Sequence, residues 1–108
     1  TTNEWIVNYI VEKIKLKNNL LTKIVGILGM AFKAESDDIR NSLSYKLKKI
    51  LLIHSKQVLT TDPFVKNDND IISLSKVLKK SNILIIATPH KIYKKIKTRK
   101  PVVDIWNS

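Results

Sequence analysis

Two long segments of the chain place apolar residues at the spacing of an amphipathic helix. In residues 3–16 the apolar stripe consists of Trp5, Ile6, Tyr9, Ile10 and Ile14. Between residues 39 and 51 the stripe consists of Ile39, Leu43, Leu47, Ile50 and Leu51. Both patterns predict helices that pack one face against a core. Ser36, Asp37 and Asp38 are the candidate N-caps of the second helix.

Four short apolar runs predict β-strands, over residues 24–29, 57–61, 83–87 and 102–105. The run at 83–87 is apolar at every position, which is typical of a central parallel strand covered on both faces. Short helices are predicted over residues 72–78 and 92–96, so helices and strands alternate. Right-handed crossovers place such helices on both faces of a sheet. The predicted fold class is therefore α/β, a Rossmann-like parallel sheet of about four strands preceded by an N-terminal helix.

The length of 108 residues fits one domain, and the absence of cysteine limits its chemistry. Without cysteine the chain has no disulfide, no cysteine-ligated zinc and no thiol nucleophile. No apolar run approaches the roughly 20 residues of a membrane-spanning helix, so no membrane partner is expected. Because the sequence starts at Thr1 without methionine and has no signal-peptide pattern, we expect a processed or excised piece of a longer protein.

The formal charge of +11 comes from 20 basic and 9 acidic residues. All the basic residues except Arg40 and Arg99 are lysines, a bias that an AT-rich coding sequence produces without selection for a partner. Residues 71–103 hold nine basic residues and no acidic one, which favours phosphate binding. Arginine and aromatic side chains, which suit base recognition and stacking, are sparse. A solvated lysine surface is therefore expected, and nucleic acid is the less favoured alternative.

Ligands of open parallel sheets bind beyond the carboxyl ends of the strands. That rule selects segments 29–40, 62–63, 88–90 and 104–107. The first holds Phe32 and Lys33, and it matches neither Gly-x-Gly-x-x-Gly nor the Walker motif. Lys33 is a ligand contact or a solvated lysine, and Phe32 a ligand contact or a core residue. Arg40, in the first turn of the predicted helix, pairs with Asp37 or Asp38 or with a ligand phosphate.

Other polar residues give weaker signals. His90 follows a predicted strand and is either a donor to a ligand or a solvated loop histidine. His54 ends the long predicted helix, where it complements the helix dipole. Residues 67–70 form a polar turn rather than a calcium loop, because the central glycine and the distal glutamate are missing. Asp62 and Asp104 are expected to cap turns rather than act as paired catalytic carboxylates.

Several of these residues form one spaced pattern. It consists of Gly26-x-x-Gly29-x-x-Phe32-Lys33, Asp37-Asp38-x-Arg40-x-Ser42, Asp62-Pro63 and Val103-Asp104. Over residues 23–107 the chain resembles the C-terminal domain of the nucleotide-sugar dehydrogenases, which include the UDP-glucose, GDP-mannose and UDP-N-acetylmannosamine dehydrogenases. The stretch from Phe32 to Ser42 is the most specific part of the resemblance.

The resemblance implies a cytoplasmic, NAD-dependent enzyme that oxidises the primary alcohol of a nucleotide sugar, favoured as a UDP-sugar, to a uronate. In this family an N-terminal Rossmann domain holds NAD, a central helical region forms a homodimer, and a C-terminal domain closes over the nucleotide sugar. Residues 23–108 would be that last domain and residues 1–22 the end of the connector. The catalytic cysteine of the family is absent here. The chain is therefore expected to be inactive without the rest of the dehydrogenase chain.

The resemblance also implies roles for individual residues. Phe32 and Lys33 match the pair that contacts the nucleotide sugar, and Arg40 matches the arginine that reaches NAD. His90 and Asn107, near the ends of the third and fourth predicted strands, are the further candidate substrate-binding residues. The arginine that some members carry shortly after the aspartate of the last strand is absent here. No catalytic and no metal-binding residue is assigned.

Two other functions share the alternating pattern. A stand-alone basic α/β module would bind nucleic acid through residues 71–103, and this is the alternative function. A phosphoacceptor receiver domain would need an aspartate at the end of the third strand. Thr88 and Pro89 stand there instead, so that function is set aside.

Overall fold

The computed structural model of the chain describes residues 2–39 and 42–105. The helices are α1 (Thr2–Lys17), α2 (Leu43–His54) and α3 (Leu74–Lys80), with 3-10 turns at Leu20–Thr22 and Lys91–Lys95. The strands are β1 (Ile24–Leu28), β2 (Gln57–Thr61), β3 (Ile83–Ile86) and β4 (Val102–Asp104). The predicted α/β fold with a leading helix is thus confirmed. Within the described residues, no helix is both long and apolar enough to cross a bilayer.

The four strands form one parallel sheet in the order β2-β1-β3-β4. At the carboxyl edge Leu28 lies between Thr61 of β2 and Ile86 of β3. The chain leaves β1 toward β2 on one side and then crosses to β3 on the other. The switch in strand order therefore lies between the carboxyl ends of β1 and β3.

Each face of the sheet carries its own apolar core. On one face α1 and α2 pack against β1 and β3 through Val11, Ile14, Leu47, Leu51, Val25, Ile27, Ile83 and Ile85. On the other face α3 and the turn Lys91–Lys95 pack through Leu28, Val77, Leu84 and Tyr93. Because β1 and β3 supply residues to both clusters, they are the central strands, as the apolar run at 83–87 predicts.

Helix α2 starts later than the sequence pattern predicts. Its N-cap is Ser42, whose hydroxyl oxygen accepts a hydrogen bond from the Ser44 N–H at 3.2 Å, so the predicted caps at residues 36–38 are wrong. The reason is that residues 29–39 satisfy their backbone groups through a loop instead. Arg40 and Asn41 lie outside the described residues. The prediction that the first turn of this helix includes Arg40 is wrong, because α2 begins at Leu43.

Candidate functional site

The chain turns sharply where it leaves β1. Gly29 has a φ of 99°, a conformation that residues with a Cβ rarely adopt. A Cβ at this position would lie 2.4 Å from Thr88 Cβ. The glycine therefore lets the loop after β1, described over residues 29–39, start directly against Thr88 in the loop after β3, residues 87–90. Those two loops border the switch point, where open parallel sheets bind their ligands.

One buried carboxylate holds the beginning of the loop after β1. Oδ2 of Asp62 accepts hydrogen bonds from the N–H groups of Met30 at 2.8 Å and Ala31 at 3.1 Å. Its Oδ1 accepts from the N–H groups of Phe64 at 2.8 Å and Val65 at 3.1 Å. The predicted turn-capping role of Asp62 is thus confirmed, and the same side chain also joins the end of β2 to the loop after β1.

The pKa of Asp62 reflects these bonds. Burial alone would raise the pKa of this carboxyl, but hydrogen bonds from the Phe64 N–H, the His90 ring and the Met30 N–H outweigh it and hold the pKa below its ordinary value of 3.8. The side chain is therefore an ionised acceptor surrounded by donors.

His90 is buried beneath the loop rather than exposed at its rim, with 1% of its surface accessible. Its Nε2 lies 2.8 Å from Asp62 Oδ2, and its Nδ1 accepts a hydrogen bond from the Glu35 N–H at 2.8 Å. The ring also lies against the rings of Phe64 and Tyr93, at centroid distances of 4.9 and 5.7 Å. The solvated-loop alternative for His90 is wrong, because the loops after β1 and β2 and the turn Lys91–Lys95 enclose the ring.

Hydroxyl groups hold the carbonyl groups of the same two residues, Met30 and Ala31. The Thr88 hydroxyl donates to the Ala31 carbonyl at 2.8 Å, and the Ser42 hydroxyl donates to the Met30 carbonyl at 2.8 Å. The Phe32 N–H donates to the carbonyl of Asp38 and closes the loop on itself. Side chains from β2, β3 and the start of α2 therefore hold this loop.

The tip of the loop points outward. Phe32 is 53% exposed, so the alternative of a core phenylalanine is wrong, and Lys33 is also exposed. Phe32 and Lys33 thus lie together at the switch point, as their predicted role requires. His90 lies below them, while Arg40 and Asn107 fall outside the described residues. The substrate-binding and cofactor-binding assignments of these five residues stay predictions.

The space beside the imidazole is small. A cavity of about 60 Å³ opens there, lined by Ile86, Pro89, His90, Tyr93, Lys94 and Asp104. This volume is well below the several hundred cubic ångströms of an ordinary ligand site. This cavity alone is therefore too small to enclose a nucleotide.

The weaker candidates have structural roles. Asp68 accepts a hydrogen bond from the Tyr45 hydroxyl at 2.6 Å, and Asp70 pairs with Lys48 at 3.0 Å. Segment 67–70 is thus a polar turn, and the described part of the chain holds no group of side chains suited to a metal ion. His54 is the last residue of α2, as predicted.

The nine basic residues of segment 76–100, here called the basic segment, are mostly exposed. Eight of its nine basic residues are exposed, and the exception, Lys100, donates to the carbonyls of Leu78 and Lys79 at the end of α3. The ammonium group of Lys100 thereby balances the partial negative charge at the C-terminus of α3. This surface therefore has the character of a solvated lysine face.

Sequence reasoning missed the contact between Asp62 and His90 and the role of Glu35. The signal for the first was present, because both residues follow parallel strands whose carboxyl ends meet at one edge of the sheet. Nothing in the local pattern around Glu35 marks it as a partner of a histidine 55 residues away.

Comparison with known proteins identifies relatives that are similar to this chain in sequence and in fold. The model of the UDP-glucose/GDP-mannose dehydrogenase family, UDP binding domain, matches residues 26–108. The UDP-N-acetyl-D-mannosamine dehydrogenase of Pyrococcus horikoshii is 38% identical over 73 residues, which make up 68% of this chain and 17% of the relative.

Solved structures agree with the sequence matches. A UDP-D-ManNAc dehydrogenase from Pyrococcus horikoshii superposes with a TM-score of 0.76 at 28% identity, covering 94% of this chain and 26% of the other. A UDP-glucose dehydrogenase from Pyrobaculum islandicum superposes with a TM-score of 0.73 at 27% identity, covering 94% and 25%. The chain thus spans about a quarter or less of the length of these relatives. By sequence and fold, the chain belongs to the UDP-glucose/GDP-mannose dehydrogenase family and corresponds to its C-terminal, UDP-binding domain.

Proposed function

We propose that this chain supplies the nucleotide-sugar-binding wall of an NAD-dependent dehydrogenase that oxidises the primary alcohol of a nucleotide sugar to a uronate. The observation that carries the proposal is the rigidly held loop after β1, which presents Phe32 and Lys33 at the switch point of the sheet. The family membership of the chain supports the same conclusion. The cytoplasm is the proposed location.

The two exposed side chains suit different parts of the ligand. A lysine ammonium neutralises a pyrophosphate oxygen or donates to a sugar oxygen without demanding a fixed direction. The exposed ring of Phe32 offers an apolar face beside that charge. UDP is the favoured nucleotide, because the family model describes a UDP-binding domain. The names of the relatives include both a UDP-N-acetyl-D-mannosamine and a UDP-glucose dehydrogenase, so the sugar stays open.

The start of the loop after β1 is not arranged to bind NAD in the way that the corresponding loop of a dinucleotide-binding fold does. In such folds, free backbone N–H groups after the first strand face the pyrophosphate. Here the N–H groups of Met30 and Ala31 already donate to Asp62. We therefore assign NAD mainly to the rest of the dehydrogenase chain, with Arg40 as the proposed contact from this domain.

The partners follow from the same assignment. The proposed conversion of a primary alcohol to a uronate takes two oxidations, and the second, from aldehyde to carboxylate, uses the catalytic cysteine of the family as nucleophile, which this chain lacks. Catalysis is therefore expected only when the rest of the dehydrogenase chain is present, and homodimerisation through the central region of that chain is part of the proposal.

A binding experiment with matched lysine variants tests the proposal. UDP and GDP are titrated into the wild-type chain, Lys33→Ala and Lys56→Ala, with affinity measured by calorimetry or NMR. Lys56 precedes β2 at the opposite edge of the sheet and is exposed. We expect Lys33→Ala to weaken UDP binding about tenfold, since it removes a charge-assisted contact, while Lys56→Ala changes it less than twofold. Equal effects of the two substitutions, or no UDP binding by the wild-type chain at millimolar concentrations, would contradict the proposal.

A further inference from the structure

We propose that His90 is a positioning residue that acts through Glu35 on the segment 32–35, here called the Lys33 turn, and that it does not touch the nucleotide sugar. This inference rests on the proposed function and changes the role first expected for His90. Its imidazole holds the end of the Lys33 turn, while its partner Asp62 holds Met30 and Ala31 just before that turn, so one buried pair flanks the ligand-binding segment.

The hydrogen bonds fix the tautomer of the ring. Asp62 is an ionised acceptor that already receives four backbone N–H groups, so the proton between it and His90 belongs to Nε2. The Glu35 N–H donates to Nδ1 at 2.8 Å, which requires a lone pair on that nitrogen. His90 is therefore neutral with its proton on Nε2. Both ring nitrogens are engaged, and neither remains to contact a ligand.

The backbone at Glu35 needs this support. Its φ is 56°, in the left-handed region that a residue with a Cβ seldom adopts. Two contacts hold it there: the Glu35 N–H to His90 Nδ1, and the Glu35 Oε2 accepting from the Lys91 N–H at 3.3 Å. Because Glu35 lies two residues after Lys33, a change in its backbone conformation would change the path of the turn that carries the lysine.

Lys94 and Asp104 line the small cavity beside the imidazole, and three titratable groups of the described residues contact the ring directly. They are the carboxylate of Asp62 from the end of β2, the carboxylate of Glu35 from the loop after β1, and the hydroxyl-bearing ring of Tyr93. The Glu35 carboxylate lies 3.3 Å from Nδ1. If Nδ1 carried a proton, it would donate to that carboxylate and the bond from the Glu35 N–H would be lost. The position of the ring proton therefore decides whether the proposed geometry exists.

Two amide substitutions each keep one of the two hydrogen bonds that the imidazole makes. In His90→Asn the side-chain oxygen takes the place of Nδ1 and still accepts from the Glu35 N–H. In His90→Gln the side-chain nitrogen takes the place of Nε2 and still donates to Asp62. Thermal unfolding measures the structural cost of each variant, and UDP affinity, measured well below the melting temperature, reports on the Lys33 turn.

The positioning role predicts that the two variants differ in binding regardless of which is less stable. We expect UDP to bind about three- to tenfold more weakly to His90→Gln than to the wild-type chain, because this variant loses one positioning hydrogen bond. In His90→Asn, which keeps that bond, UDP affinity should stay within about twofold of the wild-type value. Ring nitrogen shifts of the wild-type chain should show a neutral imidazole protonated on Nε2. Equal affinities in the two variants, or a proton on Nδ1, would overturn the proposal.

A ligand-free measurement separates this inference from the proposed function. Backbone relaxation of the Lys33 and Ala34 amides should show increased mobility in His90→Gln and not in His90→Asn. If the wild-type chain binds no UDP but this difference is present, the proposed function fails and the positioning role stands. If UDP binds and the difference is absent, the positioning role fails.

Discussion

The loop after β1 and the basic segment 76–100 differ in how they present positive charge. The loop displays one described lysine, Lys33, on a backbone held by buried side chains from two neighbouring strand ends. The basic segment displays eight exposed cationic side chains, and only Lys100 in that segment makes described side-chain contacts to the backbone of α3. Preorganisation around one charge, rather than the number of charges, distinguishes a binding site from a solvated surface.

The largest effect should come from adding a methyl group at Gly29. Gly29→Ala places a Cβ 2.4 Å from Thr88 Cβ at a φ of 99°, so overpacking and backbone strain add. We expect the free energy of unfolding to fall by about 4 kcal/mol, measured by urea denaturation. A loss below about 1 kcal/mol would contradict the close approach of the two loops.

Removing the charge of Asp62 should have the next largest effect. Asp62→Asn keeps the shape but turns one acceptor oxygen into a donor that faces backbone N–H groups. We expect a loss of about 3 kcal/mol in unfolding free energy. The matched control is Asp70→Asn, because Asp70 pairs with Lys48 but its side chain is 75% exposed, and its loss should stay below about 1 kcal/mol. Similar losses in the two variants would show that the buried carboxylate of Asp62 stabilises the fold no more than an exposed carboxylate does.

Acid should weaken the fold through the same carboxylate. Since the folded-state pKa of Asp62 lies below its ordinary value of 3.8, the unfolded chain binds the proton more readily. The stabilisation is therefore complete at neutral pH and is lost as the pH falls below about 4 toward the folded-state pKa. Asp62→Asn should flatten this slope. Asp68 should leave a residual slope, because the Tyr45 hydroxyl, the Asp70 N–H and the charge of Lys48 together outweigh burial and hold the pKa of this carboxyl below its ordinary value as well. Denaturant midpoints between about pH 2 and 7 measure both slopes.

The smallest effect should come from the basic segment. Lys94 and Lys95 are exposed, and replacing both with alanine should change the unfolding free energy by less than about 0.5 kcal/mol. UDP affinity should change less than twofold, measured as for Lys33→Ala. A loss of UDP affinity as large as that of Lys33→Ala would place the nucleotide on the basic segment.

The central strands could be predicted from sequence because local composition determines them. The apolar run at 83–87 and the run ending at Gly29 leave no polar face, so burial on both sides of a parallel sheet is their simplest structure. The start of α2 could not be predicted in the same way. Ser36, Asp37, Asp38 and Ser42 are all good N-caps by residue type, and contacts of residues 29–39 with distant strand ends select Ser42.

The site was only partly predictable for the same reason. The Phe32 and Lys33 positions follow from a local pattern and from the rule for parallel strand ends. The pairing of Asp62 with His90 joins residues 28 positions apart, and hydrophobic periodicity carries no information about buried polar partners. Only the three-dimensional structure shows that the histidine supports the loop from below.

The most direct test of the central claim is a chemical-shift map of the isotope-labelled chain titrated with UDP. If the held loop is the binding wall, the amide shifts will concentrate in residues 32–39 and 88–90, including Lys33, and residues 91–100 will move little. If the largest shifts instead spread over the exposed lysines of residues 91–100 and vanish at moderate salt, nucleotide binding follows charge density rather than the preorganised loop, and the account is wrong.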